Sequence, residues 1–259
     1  MDRDEEAVEA YRQAIAIAPD YTTANFHLGL SLGILERYEE AIAAFKRAIK
    51  ADPGFSFQYY GLGLVYDESG RYEEAIEAFN QAIGIDPRFA EAYCQLGSTY
   101  CKLGHQDDAI RFQKKAIEIN PDDGSLHNYL GVTYSRFGLY EDSVNAYRSA
   151  VAIDPNAYIG YNNLAWLCAT CPDSQFRDGT KALELAKKAC ELTDIEDAHC
   201  LTSLAAAYAE CGDFEKAIEY QEKGIKLIGE EVTEEWENSL EAYKSGKLYR
   251  SHPALPIKQ

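Results

Sequence analysis

The stretch Arg71–Gly104 reads RYEEAIEAFNQAIGIDPRFAEAYCQLGSTYCKLG. It decides the fold because its landmarks return at one constant interval on both sides. Pro19, Pro53, Pro87, Pro121 and Pro155 are spaced 34 residues apart. A period of this length marks stacked structural units and is read before any local motif. Twelve residues before each proline stands a small residue: Ala7, Ala41, Ala75, Ala109 and Ser143. Five before it stand Ala14, Ala48, Ala82, Ala116 and Ala150. Farther upstream come Leu28-Gly29, Leu62-Gly63, Leu96-Gly97 and Leu130-Gly131, each followed three residues after its glycine by Leu32, Tyr66, Tyr100 or Tyr134.

Each unit reads as two antiparallel helices. Tyr93, Leu96, Gly97 and Tyr100 fall at i, i+3, i+4 and i+7, one face of a helix. A glycine on that face gives up helix propensity in return for close approach to the neighbouring helix. Gly70, Gly104, Gly138 and Gly212 follow the first helix, where a left-handed residue is easiest for glycine. In the second helix Ala75, Ile76, Phe79, Ala82 and Ile83 share a side. Acidic residues in its first turn suit the positive helix end. The proline then pushes the residue before it out of helical geometry, and the helix stops.

Leu-Gly-x-x-Tyr, then Ala-x-x-x-Phe-x-x-Ala, then Pro resembles the tetratricopeptide repeat, and the resemblance covers nearly all of the chain. It implies an all-α fold, a right-handed α-solenoid of antiparallel helix pairs. The expected division is a half repeat at 1–21, holding a second helix only, and six repeats at 22–55, 56–89, 90–123, 124–157, 158–197 and 198–231. A capping helix at 232–246 and an extended tail at 247–259 complete it. The last two repeats carry Ala165 and Ala205 in place of glycine and lack the closing proline. The 158–197 unit, sixth when the half repeat is counted, takes fourteen residues from Cys168 to Ala182, where the earlier ones take nine (Tyr66 to Ala75). It therefore holds a five-residue insertion between its helices. Ala169–Asp173, Arg177–Gly179 and Lys188–Leu192 in that unit resemble a variant repeat of bacterial tetratricopeptide proteins.

Composition narrows the function classes. With 25 basic and 43 acidic residues the net charge is −18, and the acids are spread over helix faces. Nucleic acid and anionic membrane surfaces call for a basic patch, so neither is an expected partner. No apolar run is long enough to span a membrane, and the start MDRDEEAVEA is not a signal peptide. Cytoplasm is the default location, with the reservation that an upstream targeting segment has a place to be missing from, because the chain opens on a second helix.

Cys168-x-x-Cys171 raises zinc or thiol–disulfide chemistry. Seven scattered cysteines do not form a disulfide framework and fit a reducing compartment. A structural zinc needs a second ligand pair, and no His or Cys lies close in sequence to supply one; Cys190 approaches only through the fold. A redox pair opens a helix, whereas this one closes it. Buried thiols are the simpler reading. His27, His105, His127, His199 and His252 are scattered over different units, and no phosphate loop, nucleophile elbow or His-Glu-x-x-His occurs. No catalytic residue, metal ligand or cofactor is assigned.

The resemblance implies a concave side, lined by first helices, that binds an extended peptide or a helix of another protein. Carried over position by position, the groove residues are Phe26, Leu30, Phe57, Tyr60, Leu64 and Asp67, then Ser98, Lys102, Asn128, Arg136, Asn162 and Trp166. The fifth positions of the repeats (Phe26, Tyr60, Cys94, Asn128, Asn162, Thr202) hold no cation, which disfavours the carboxylate clamp of chaperone-binding relatives. The expected function is a non-catalytic scaffold binding peptide or helical segments of partner proteins. The alternatives are a recruiting or regulatory arm of a larger enzyme and, less favoured, a cysteine-based zinc or redox protein. At the ends, Thr233 is expected to cap a helix in which Trp236, Leu240 and Tyr243 share a face. The first helix presents Ala7, Val8, Tyr11, Ala14 and Ile15 with no helix before it. The chain is thus expected either to continue a longer protein or to self-associate through that end.

Overall fold

Each 34-residue period folds as the helix pair its spacing predicts. The computed structural model describes residues 2–193, 197–229 and 232–250, and these hold helices and turns with no strand. They form two compact units, one ending at Asn120 and one beginning at Pro121. The first contains α1 (Asp2–Ile17), α2 (Thr22–Ile34), α3 (Tyr38–Ala51), α4 (Ser56–Glu68), α5 (Tyr72–Ile85), α6 (Ala90–Lys102) and α7 (Gln106–Ile119). The second contains α8 (Gly124–Arg136), α9 (Tyr140–Ile153), α10 (Tyr158–Thr170), α11 (Gly179–Leu192), α12 (Ala198–Glu210), α13 (Phe214–Ile228) and α14 (Glu234–Lys244). A short 3-10 turn, Ser174–Phe176, lies between α10 and α11. Within each unit every helix packs on the next, and first helices also meet the first helices of neighbouring pairs, as α2 with α4 and α10 with α12. This is the all-α helical solenoid expected of the sequence.

Helix ends follow from local chemistry. After α4 the Gly70 amide bonds to the Asp67 carbonyl and the Arg71 amide to the Tyr66 carbonyl, at 3.2 and 2.8 Å, with Gly70 at φ 77°. This closing motif satisfies carbonyls that the helix itself leaves open. The same bonds recur at Gly104, Gly138 and Gly212. In the first pair the position is Glu36, at φ 57°, a conformation costly for a residue with a Cβ. At the other end of the hairpin, the proline holds the preceding aspartate extended. The Asp52, Asp86 and Asp154 carboxylates then accept the amide two residues on, at 3.1, 2.9 and 3.0 Å. Asp178, Asp197 and Asp213 cap α11, α12 and α13 through their side chains. Thr233 precedes α14 as expected, but its hydroxyl makes no capping bond. The chain leaves it at ψ 160°, and its carbonyl alone accepts amides of the first turn.

The recurring glycine serves packing of a specific kind. A Cβ on Gly29 would lie 2.8 Å from the Phe45 ring, and one on Gly63 or Gly131 would lie 2.6 Å from Phe79 or Tyr147. The missing side chain is the seat of an aromatic ring from the second helix of the same pair. Phe45 and Phe79 are fully buried, each worth about 1.5–3 kcal/mol of apolar burial. Around them Leu28, Leu32, Leu62, Val65 and Leu96 form the core of the first unit. In the second unit Tyr147, Leu164, Leu167, Leu185 and Leu204 share a core with Cys168, Cys171, Cys190 and Cys200. At the C-terminal end Tyr243 of α14 is buried against Ala205, Ala209 and Ala217, and Trp236 of the same helix is buried too. At the N-terminal end Val8 is buried and Tyr11 stacks on His27 at 5.6 Å, while Ile17 is 87% exposed. The ends of the repeats expected at 158–197 and 198–231, and the tail beyond Arg250 with His252, lie partly or wholly outside the described residues.

Candidate functional site

In the first unit the candidates on α2 and α4 belong to a run of aromatic rings. Phe26 lies 6.1 Å from Phe55, Phe55 5.5 Å from Phe57, and Phe57 4.6 Å from Phe89, which in turn lies 4.9 Å from Tyr60. Phe57 is 47% exposed and Leu30 36% exposed, whereas Phe26, Tyr60 and Leu64 are half-buried. Phe55, at 43% exposure, and Phe89, which is buried, were not among the residues expected from the sequence. Both sit two residues after a repeat proline, at the mouth of a first helix, as does Tyr21. An aromatic residue recurring at that offset in three units was the available signal.

The charged candidates are already paired. Asp67 is buried, accepts the Thr99 hydroxyl at 2.8 Å and forms an ion pair with Lys102, joining α4 to α6. Ser98 donates to the Cys94 carbonyl at 3.1 Å. The neighbouring Glu68 carboxyl is held above its usual range by burial and then by the Asp67 charge. What the first unit offers on this face is therefore apolar and aromatic surface, with its acid and base neutralising one another.

In the second unit Asn128 accepts a hydrogen bond from Asn163 at 3.0 Å, tying α8 to α10. Arg136 is half-buried on the last turn of α8. Asn162 and Trp166 line a pocket of about 380 Å³ together with His199, Thr202, Glu235 and Trp236. The Asn162 Oδ1 atom is buried without a protein hydrogen-bond partner. Both tryptophans of the chain thus face one cavity, which the sequence did not foretell because Trp236 belongs to α14. Trp166 is covered on one side by Tyr249, whose ring centroid lies 6.0 Å away.

The cysteines divide by environment. Cys168 and Cys171 are buried in the core of the second unit, and burial pushes the Cys168 thiol up to about 11. The thiolate required for metal binding or exchange is disfavoured there. Cys190, the residue that only folding would bring near them, instead pairs with Cys200, whose thiol is raised by donating to it. Among the described residues no three His, Cys, Asp or Glu side chains converge as metal ligands would, and no helix is long and apolar enough to cross a membrane.

Antiparallel helix pairs stacked in series, as in each of the two units, define the class of α-solenoid repeat proteins. Tetratricopeptide repeat models match residues 5–54, 90–123, 112–145 and 198–230, and a TPR repeat model matches 65–104. Together they span more than half of the chain, and the protein belongs to the tetratricopeptide repeat family. Among solved structures, MamA is 26% identical over 59% of this chain and 89% of its own, with a TM-score of 0.53. YrrB, a TPR protein with an unusual peptide-binding site, is 23% identical over 72% of this chain and 94% of its own, with a TM-score of 0.51. A chain of the APC/C hetero-tetramer Cut9–Hcn1 superposes with a TM-score of 0.74 over 93% of this chain at 16% identity, and this chain spans 46% of its length. The last two likenesses concern the fold alone. No curated protein sequence matches the chain.

Proposed function

We propose that the protein is a non-catalytic scaffold that holds peptide or helical segments of partner proteins on the face formed by its first helices. A repeat family built for protein–protein contact supports the general reading. The observation that carries the finer one is the aromatic run of the first unit, where Phe57, Phe55 and Leu30 stay exposed beside half-buried Phe26 and Tyr60. Large apolar side chains clustered at the surface mark a contact site, and their spacing along helices suits the apolar anchors of a bound segment. Because Asp67 and Lys102 are spent on each other, affinity there comes from apolar anchors. A Phe57→Ala, Leu30→Ala double variant, changed at exposed positions, is expected to keep its helical circular dichroism and lose at least tenfold in affinity for partner proteins that the wild-type chain captures in a pull-down. Equal affinity of variant and wild type would remove this face from the reading.

A further inference from the structure

The end of α10 differs from every other first helix. In α2, α4, α6, α8 and α12 the carbonyls of Gly33, Asp67, Cys101, Ser135 and Ala209 each accept the amide three residues on, at 2.8–3.2 Å. In α10 the equivalent carbonyl belongs to Ala169, and the residue three on is Pro172, which has no amide hydrogen. That carbonyl accepts instead from the Arg250 guanidinium at 3.2 Å. Arg250 also lies 2.8 Å from the Glu210 carboxylate, an ion contact beside the one that Arg177 makes from the inserted loop at 3.2 Å. The preceding Tyr249 faces Trp166 and donates its hydroxyl to Glu235 at 2.9 Å. Gly246, left-handed at φ 66°, turns the chain back from α14 so that these two residues reach α10 and α12.

Trp166 is among the groove residues the family resemblance implies; Ala169 lies three residues on along α10, and Glu210 closes the neighbouring first helix, α12. The surface is a matched receptor: a tryptophan for an aromatic ring, and an open carbonyl at a negative helix end with a half-buried carboxylate for a guanidinium. We propose that this face of α10 and α12 binds a partner peptide presenting an aromatic residue followed by arginine, and that Tyr249-Arg250 occupies it as an internal competitor. The inference rests on the peptide-scaffold reading and adds the ligand's chemistry and its regulation. A tethered competitor stands at high effective concentration and lowers the apparent affinity for any free peptide. Release of the tail is then the switch.

The test uses the full chain and a synthetic peptide of residues 245–256 (SGKLYRSHPALP), with binding followed by titration calorimetry. The Tyr249→Ala, Arg250→Ala variant is expected to bind the peptide at least tenfold more tightly than wild type. Adding Glu210→Gln or Trp166→Ala to that variant should reverse the gain, and a peptide with its Tyr-Arg pair replaced by Ala-Ala should not bind. Gly246→Ala, which strains the return turn yet keeps both side chains, is expected to give an intermediate gain and serves if the double variant folds poorly. Equal binding by wild type and released chains, or binding indifferent to Glu210→Gln, would overturn the proposal. Tail exchange between two copies, seen as wild-type dimers that the double variant lacks, would overturn the assignment to a partner peptide. Failure here with Phe57-dependent capture intact would sink this site alone and leave the scaffold reading standing.

Discussion

A single absent methyl group decides how the α4–α5 hairpin closes. Gly63 lies where the Phe79 ring is seated, and a Cβ there would come within 2.6 Å of it. Gly63→Ala is therefore expected to destabilise by about 1–3 kcal/mol through overpacking, against the helix-propensity gain alanine normally brings. A methyl group added at Gly84, on the exposed side of α5, would meet nothing within 4 Å, so Gly84→Ala should stabilise by roughly 0.5 kcal/mol. Urea unfolding of the two variants separates packing from propensity, and a shift of the same sign in both would refute the account. Glu36 gives the converse case. It occupies, at φ 57°, the turn position held by glycine in later pairs. Relief of the left-handed strain exceeds the entropy lost in the unfolded chain, so Glu36→Gly should raise stability by roughly 0.5 kcal/mol, read as a higher urea midpoint.

At the scale of elements, Arg177 ties down the inserted loop between α10 and α11, beside the packing of Phe176 on Tyr140. Arg177 donates to the carbonyls of Cys171 and Pro172 at 2.7 and 3.1 Å and pairs with Glu210. These groups are mostly buried, with side-chain exposures of 19% for Arg177 and 14% for Glu210, so solvent screens the pair little. Arg177→Ala should destabilise by roughly 2–3 kcal/mol. It should also raise amide exchange in residues 171–178 before it does so in α11. Uniform exchange across the second unit would show that the loop is held by something else. The Cys-x-x-Cys spacing that drew attention to this stretch thus reads as structure. Cys168 and Cys171 fill the core at the loop's root, and Pro172 withdraws the amide that would have closed α10.

Over the whole molecule the 43 acidic residues outnumber the 25 basic ones. The ion pairs are mainly exposed, many of them at i,i+3 on one helix, and such pairs contribute about 0–1 kcal/mol each. Self-repulsion at a net charge of −18 acts over a Debye length that falls from about 30 Å at 0.01 M salt to about 8 Å at 0.15 M. Raising salt across that range is therefore expected to raise the melting temperature, measured by circular dichroism. A fall would mean that the ion pairs outweigh the repulsion.

The helix pairs were legible in the sequence because their determinants are local and repeat: the proline that ends a helix, the glycine that turns it, and a small residue facing a large one at fixed spacing. Phe26, Tyr60 and Trp166 could be placed on first helices by register alone. Pairing could not, since Asp67 with Lys102 and Cys190 with Cys200 join side chains from different helices whose packing no spacing encodes. Tyr249 and Arg250 lie outside the period altogether, and only the folded chain, turned back at Gly246, lays them against α10. Periodicity determined the elements and their stacking; which polar groups found partners was decided by distance in three dimensions, over which hydrogen bonds and charges act.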